Sequence, residues 1–131
     1  MTVESNYEVV RRGYAAFSAG DTDTLTELFA PDIVHAVPGS SPISGAHKGP
    51  QNVLAMYGKL AELSGGSVRV ELEDMLSDGG SRVIAIHRTT AERNGETLSV
   101  REALLLTIVN GKVTEIQDFF GDIEAVDSFW R

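Results

Sequence analysis

Two asparagine–glycine pairs in the second half of the chain constrain its fold more than any other feature. Asn94-Gly95 and Asn110-Gly111 each lie between stretches rich in apolar and β-branched residues. Asn-Gly is the preferred sequence of a two-residue turn that joins neighbouring antiparallel strands. We therefore predict two consecutive hairpins, with strands at about 82–92, about 97–109 and 112–120.

A further strand precedes these hairpins. Val68, Val70 and Leu72 alternate with charged residues, which is the pattern of a strand with one buried face. The residues Asp78-Gly79-Gly80 then turn the chain into the next strand. Strands joined in sequence by tight turns form an antiparallel meander.

The first half of the chain has helical periodicity instead. Apolar residues recur at spacings of three and four within 3–17 and within 53–60, which predicts two amphipathic helices. A short helix is expected between its cap, Asp21, and Pro31, followed by a short strand at 32–37. Helices segregated from a meander predict a single α+β domain over residues 1–131.

Composition narrows the classes of partner and cofactor. The chain has 19 acidic and 11 basic residues, a formal charge of −8, so nucleic acid and anionic membrane surfaces are unfavourable partners. It has no cysteine, which excludes a disulfide framework and fits the cytoplasm. The three dispersed histidines match no metal-binding spacing, and no phosphate- or dinucleotide-binding motif is present. We therefore expect neither a metal nor an organic cofactor.

The two turns also predict which side chains share a face of the sheet. Without bulges, His87 faces Glu102, and Ala103 faces both Ile86 and Asp118. One face then carries Ile84, Ile86, Arg88, Arg101, Ala103, Leu105, Ile116, Asp118 and Phe120, and the other carries Val83, Ala85, His87, Val100, Glu102, Leu104, Leu106, Gln117 and Phe119. A bulge would shift these pairs by one residue.

Neither face has the polar character of a sheet surface that is open to water. One face should pack on the helices and enclose a pocket, and the other should pack on a second subunit. We therefore predict a homodimer in which His87, Glu102, Leu104 and Phe119 lie near the contact.

Asp118 is the leading candidate for a catalytic residue. It lies between Ile116 and Phe120 on one predicted face. A carboxylate among apolar neighbours has its charged form disfavoured, which makes it a usable general base. The alternative is a structural carboxylate paired with Arg101 or Arg88.

Two histidines and two tyrosines complete the candidate site. His35 could polarise a carbonyl or relay a proton, or it could be a hydrogen-bonded core residue. The hydroxyls of Tyr14 and Tyr57 could donate to a ligand oxygen, or their rings could simply fill the core. His87 is a secondary candidate because a one-residue bulge would bring it into the pocket. The predicted pocket residues are Tyr14, Tyr57, Arg101, Ile86, Ala103, Ile116 and Phe120.

Three stretches of the chain resemble the nuclear-transport-factor-2-like superfamily, in its SnoaL-like and ketosteroid-isomerase-like branch. They are YAAFSAGDTDTLTELFAPDIV, HAVPGSSPISGAHKG and VNGKVTEIQDFFGD. The resemblance implies a cone-shaped, curved antiparallel sheet with three helices from the N-terminal half packed on its concave face. It also implies a pocket between these layers and dimers that form through the convex face.

Positions at which this chain differs from members of the family indicate which of the family's activities it resembles. The tyrosine and the two acids of ketosteroid isomerases fall on Gly13, on Val37 and near Ala103, which argues against that reaction. Limonene-type epoxide hydrolases resemble the chain through Arg101 and Asp118, but Ala103 replaces their second aspartate. SnoaL-like cyclases rely on one aspartate of the last strand as a base, and Asp118 matches it.

We therefore expect a cofactor-independent enzyme that acts on a small apolar carbonyl compound. Asp118 would abstract a proton, as in a polyketide cyclase or an isomerase. A non-catalytic domain that binds a small ligand and a limonene-type epoxide hydrolase-like enzyme remain alternatives.

Overall fold

The helices and strands of the protein follow the predicted α+β order in a computed structural model, which describes residues 2–131. The helices are α1 Val3–Ala19, α2 Thr22–Leu28, α3 Pro50–Leu63 and α4 Ile123–Trp130. The strands are β1 Phe29–Val37, β2 Gly45–Lys48, β3 Arg69–Ser77, β4 Arg82–Arg93, β5 Glu96–Val109 and β6 Lys112–Phe120. They form one curved, open sheet in the order β2-β1-β6-β5-β4-β3.

Local sequence signals set the limits of the first two helices. The Thr2 side chain accepts from the Ser5 backbone N–H at the start of α1, and Gly20 ends that helix in the left-handed region at φ 66°. The Asp21 carboxylate then accepts from the Thr24 backbone N–H and caps α2, as predicted. Each contact satisfies backbone groups that a helix end leaves unpaired.

The first strand begins earlier than predicted, at Phe29 and not at residue 32, so Pro31 lies inside β1. The predicted loop between Val37 and α3 also contains a short edge strand, β2, which pairs antiparallel with β1. β1 itself runs parallel to β6, an exception in an otherwise antiparallel sheet, and places His35 opposite Ile116.

Both Asn-Gly turns form the predicted hairpins. Asn94 and Gly95 have φ values of 53° and 79°, and Asn110 and Gly111 have 51° and 77°, the positive values that a type I′ turn requires. The register of β4 and β5 is the predicted one, with His87 opposite Glu102.

The register of β5 and β6 differs from the prediction by one residue. Thr107 pairs with Glu115 and Ile108 pairs with Val113, so Thr114 is an extra residue in β6. This β-bulge places Asp118 opposite Leu104, not opposite Ala103. Beyond the bulge, each side chain of β6 therefore points to the face of the sheet opposite to the one predicted.

This inversion corrects the predicted faces of the sheet. Ile116, Asp118 and Phe120 join the face that carries His87, Glu102 and Leu104, and this shared face packs against the helices. Arg101, Ile86 and Ala103 lie on the opposite, outer face, so their predicted place in the pocket is wrong.

The core fills the space between the helices and the inward face of the sheet. α1 packs on β3 and β4, α2 on β1 and β6, and α3 on β1 and β2. The largest fully buried side chains are Val10, Ile33, Val53, Val83 and Val126. None of the helices within residues 2–131 combines the length and apolar character needed to cross a bilayer.

The outer face of the sheet carries exposed apolar side chains, with Phe119 54% and Ile84 41% exposed. A homodimer through this face stays a prediction. Its expected contact residues need correction, because His87, Glu102 and Leu104 point to the helices and only Phe119 lies outside.

Candidate functional site

A cavity of about 130 Å³ lies between the helices and the inward face of the sheet. Its walls are mostly apolar and include Val9, Val10, Phe17, Leu28, Leu106 and Trp130. An engineered apolar cavity of about 150 Å³ holds one benzene molecule. The space therefore suits a ligand of about one ring.

One chain of hydrogen-bonded side chains crosses the cavity from α3 to β6. The Tyr57 hydroxyl lies 2.9 Å from His35 Nδ1, and His35 Nε2 lies 2.7 Å from Asp118 Oδ1. The His35 and Asp118 side chains are only 5% and 14% exposed. Both ring nitrogens of His35 are engaged, so this histidine positions Asp118 and has no nitrogen free for a ligand.

A second chain of the same kind runs from α1 to β5. The Tyr14 hydroxyl lies 2.5 Å from His87 Nδ1, and His87 Nε2 lies 3.1 Å from Glu102 Oε1. The Thr89 hydroxyl donates to the same Glu102 oxygen at 2.6 Å. The two chains thus repeat one motif, in which a tyrosine contacts Nδ1 and a carboxylate contacts Nε2 of a buried histidine.

Strand register sets the distance between the two carboxylates. Asp118 pairs with Leu104, and Glu102 is two residues from Leu104 on the same face of β5. The backbone positions of such diagonal neighbours on adjacent strands lie about 7–8 Å apart, and their Cβ atoms lie somewhat closer. One small molecule can therefore contact both carboxylates at once.

Each carboxylate uses only one of its oxygens within the protein. Asp118 Oδ2 and Glu102 Oε2 have no hydrogen-bond partner among residues 2–131, and neither atom is sealed off in the core. Both side chains line the cavity. Two acceptor oxygens are thus presented to whatever occupies it.

The two tyrosine hydroxyls are held in their neutral form. Burial raises the pKa of Tyr14 well above its ordinary value of 10.0, and the charges of Asp118 and Glu102 raise it further. Burial likewise raises the pKa of Tyr57, with smaller contributions from Asp118 and Tyr14. Both hydroxyls therefore keep a proton to donate across the neutral pH range.

Most of the predicted site residues come together in this cavity. Asp118, His35, Tyr14, Tyr57, Ile116 and Phe120 all line it, and the bulge adds the secondary candidate His87. Glu102 and Thr89 also line the cavity, although neither was predicted as a site residue. The signal for Glu102 was present, because the hairpin register already paired it with His87.

The predicted role of Arg101 is wrong. Its side chain is 59% exposed on the outer face, and its guanidinium donates to Glu73 at 2.8 Å. Arg88 lies on the same outer face and contacts the same glutamate at 3.9 Å. Asp118 is paired with neither arginine, so the arginine–aspartate arrangement expected of a limonene-type epoxide hydrolase does not form.

Within residues 2–131, no group of three or more histidine, aspartate or glutamate side chains is arranged to hold a metal ion.

Comparisons with known proteins extend over nearly the whole chain. A family model described as SnoaL-like domain matches residues 10–116. An uncharacterised protein of Mycobacterium tuberculosis (strain H37Rv) is 42% identical over 130 residues, which is 99% of each chain. The structure of Bal32a, from a soil-derived mobile gene cassette, superimposes with a TM-score of 0.93 at 46% identity and 98% coverage of each chain.

A protein of unknown function with a cystatin-like fold, from Xanthomonas campestris, is also similar. It superimposes with a TM-score of 0.88 at 30% identity, covering 95% of this chain and 97% of that one. The similarity thus includes all the helices and strands that form the cavity.

Proposed function

The chain belongs to the SnoaL-like domain family, and from that premise we propose that it is an enzyme that removes a proton next to a carbonyl group of a small, largely apolar compound. Asp118 is the base. The observation that carries the proposal is the pairing of Asp118 Oδ1 with His35 at 2.7 Å while Oδ2 stays unpaired at the cavity. In this arrangement His35 orients the Asp118 carboxylate, and the free oxygen Oδ2 is available to accept a proton.

The proposed step starts with a substrate C–H bond beside Asp118 Oδ2. The carboxylate takes the proton and becomes a carboxylic acid, and the C–H electron pair moves into the carbonyl to form an enolate. His35 holds the carboxylate through its other oxygen, so the basic oxygen has a fixed direction.

The enolate oxygen requires a hydrogen-bond donor. Tyr14 can serve, because it lines the cavity and its raised pKa keeps the hydroxyl protonated. When both ring nitrogens of His87 carry a proton, Nε2–H donates to Glu102 and Nδ1–H donates to the Tyr14 hydroxyl, which leaves the tyrosine proton free to point at the substrate. An enolate that is conjugated with a C=C bond can then be reprotonated at the far carbon of that bond, as in an isomerase. An enolate can instead attack a second carbonyl, as in a cyclase.

The proposal can be tested with cyclohexanone, because one ring matches the volume of the cavity. Proton abstraction is measured by NMR as the exchange of the ring protons beside the carbonyl for deuterium in heavy water. We expect the wild type to accelerate this exchange above the buffer rate and Asp118→Asn to return it to that rate. Binding of cyclohexanone to Asp118→Asn, followed by saturation transfer, should persist because the shape of the side chain is kept.

Asp32→Asn is the matched control, since Asp32 is an exposed carboxylate outside the cavity. It should exchange at the wild-type rate. Equal exchange by Asp118→Asn and wild type would overturn the base assignment. Binding of the ketone by the wild type without any exchange would instead favour a non-catalytic domain that binds a small ligand.

A further inference from the structure

We propose that Glu102 is a specificity-determining residue that accepts a hydrogen bond from a hydroxyl group of the substrate. The substrate class is then a ring ketone that carries a second, hydroxylated position across the ring from the carbonyl. This inference rests on the proposed function for its carbonyl end and on Glu102 for its hydroxyl end.

The first support is the hydrogen bonding of Glu102. Its Oε1 takes a donor from His87 at 3.1 Å and one from Thr89 at 2.6 Å, whereas its Oε2 has no partner among residues 2–131. The side chain is 10% exposed and lines the cavity. This free oxygen keeps access to the cavity, so a ligand there can donate to it without displacing a protein partner.

The second support is the position of Glu102 relative to Asp118. The diagonal register puts the two side chains on one face of the sheet, at backbone positions about 7–8 Å apart. A six-membered ring fits between them when its two polar groups lie at opposite positions. The carbonyl side then meets Asp118 while the far side meets Glu102.

The third support is the chemistry of the surroundings. An ionised carboxylate can only accept hydrogen bonds, so its ligand must supply an O–H or N–H donor. The neighbouring walls, Leu104 and Phe120, are apolar. His87 and Thr89 already donate to this carboxylate, and burying a neutral hydroxyl costs less desolvation than burying an ammonium group. A hydroxyl is therefore the better match.

The experiment compares three ketones that differ only across the ring from the carbonyl: 4-hydroxycyclohexanone, 4-methoxycyclohexanone and 4-methylcyclohexanone. The methoxy compound keeps the oxygen and removes the donor, and the methyl compound controls for size. Dissociation constants are measured by calorimetry. We expect the wild type to bind the hydroxy compound at least about tenfold more tightly than the methoxy compound, as a hydrogen bond to a charged acceptor provides.

Glu102→Gln should remove this preference for a definite reason. The amide oxygen must take the place of Oε1 to accept from His87 and Thr89, which turns the amide nitrogen, a donor, towards the ligand. The hydroxy-to-methoxy ratio should then fall to within about threefold. Asp118→Asn should keep the wild-type ratio while it loses deuterium exchange.

Equal affinities in the wild type, or an unchanged ratio in Glu102→Gln, would overturn the inference. The wild-type comparison needs no variant, so it decides even if Glu102→Gln does not fold. Preference for the hydroxy compound without any exchange would contradict the proposed reaction and leave the hydroxyl site standing. Deuterium exchange that depends on Asp118, without any preference for the hydroxy compound, would support the proposed reaction and contradict the hydroxyl site.

Discussion

His35 Nε2 lies 2.7 Å from Asp118 Oδ1 and joins the parallel strands β1 and β6 inside the cavity. The same imidazole contacts the Tyr57 hydroxyl of α3 through Nδ1 at 2.9 Å. One side chain therefore links a helix and two strands and also orients the carboxylate. Its loss should affect stability more than the loss of the Asp118 charge.

The first prediction compares two substitutions in this pair. His35→Leu should lower the free energy of unfolding by about 3–5 kcal/mol, because it leaves a buried carboxylate and a tyrosine hydroxyl without their partner. Asp118→Asn should lower it by less than about 1.5 kcal/mol, because the amide oxygen can still accept from His35 Nε2. Urea unfolding curves of both variants measure the difference.

The double variant His35→Leu, Asp118→Leu serves as the control. It removes both polar groups of the contact, so it should be more stable than His35→Leu alone. If Asp118→Asn were as damaging as His35→Leu, the carboxylate would be structural, and its role as a base would be lost.

The second prediction concerns alkaline pH. Burial raises the pKa of Tyr14 and Tyr57 above the 10.0 that they have in the unfolded chain, so the folded state holds its protons more tightly. Their contribution to stability is complete below pH 10 and is lost as the pH rises above it. Each tyrosine should reduce the free energy of unfolding by about 1.4 kcal/mol per pH unit in that range.

Tyr57→Phe isolates this effect from the titration of lysines. The difference in unfolding free energy between wild type and Tyr57→Phe should shrink as the pH rises from about 10 to about 11. Parallel curves for the two proteins would show that Tyr57 ionises equally in both states. Urea unfolding at each pH gives the measurement.

The sequence predicted the fold well where the local signals were strong. The Asn-Gly turns, the capping residue Asp21 and the periodicity of the helices each specify a local geometry by steric and hydrogen-bonding rules. The Asn94-Gly95 turn also predicted the pairing of His87 with Glu102 correctly. The parallel pairing of β1 with β6 was not predicted from the residues, because no local feature of residues 29–37 specifies which strand they join.

The bulge at Thr114 explains most of what was mispredicted at the site. No glycine or proline at this point of β6 indicates a bulge in the sequence. The bulge depends instead on how β6 packs between β1 and β5. One inserted residue exchanges the faces of β6, which removed Arg101, Ile86 and Ala103 from the cavity and added His87 and Glu102 beside Asp118. The identities of the candidate residues were therefore easier to predict than their grouping.

The third prediction concerns Gly39, which lies against α4. A Cβ atom at this position would overlap the buried Asp127 carboxylate, and the backbone φ is +96°. That carboxylate accepts from the Ser40 backbone N–H at 2.9 Å and so fastens α4 to the loop after β1. Gly39→Ala must displace it and should cost more than about 3 kcal/mol in stability.

Gly45→Ala is the matched control, because φ there is +116° but nothing lies within 4 Å of the added Cβ. It should cost only the backbone strain, about 1–3 kcal/mol. Thermal melts followed by circular dichroism compare the two variants. Equal losses would mean that the contact with Asp127 adds nothing to the strain.

The final prediction uses two helical glycines to separate stability from ligand binding. Gly13 lies in α1 and lines the cavity, whereas Gly58 is exposed in α3, and an added Cβ would meet nothing within 4 Å at either site. Alanine should stabilise the protein by about 0.5–1 kcal/mol at each position, because glycine loses more backbone entropy in a helix.

Leucine at Gly13 should in addition occupy part of a cavity of only about 130 Å³. Binding of cyclohexanone, measured by saturation transfer, should therefore be lost in Gly13→Leu and unchanged in Gly58→Leu. Retained binding in Gly13→Leu would place the ligand elsewhere, whereas lost binding in both variants would point to a general effect on the fold.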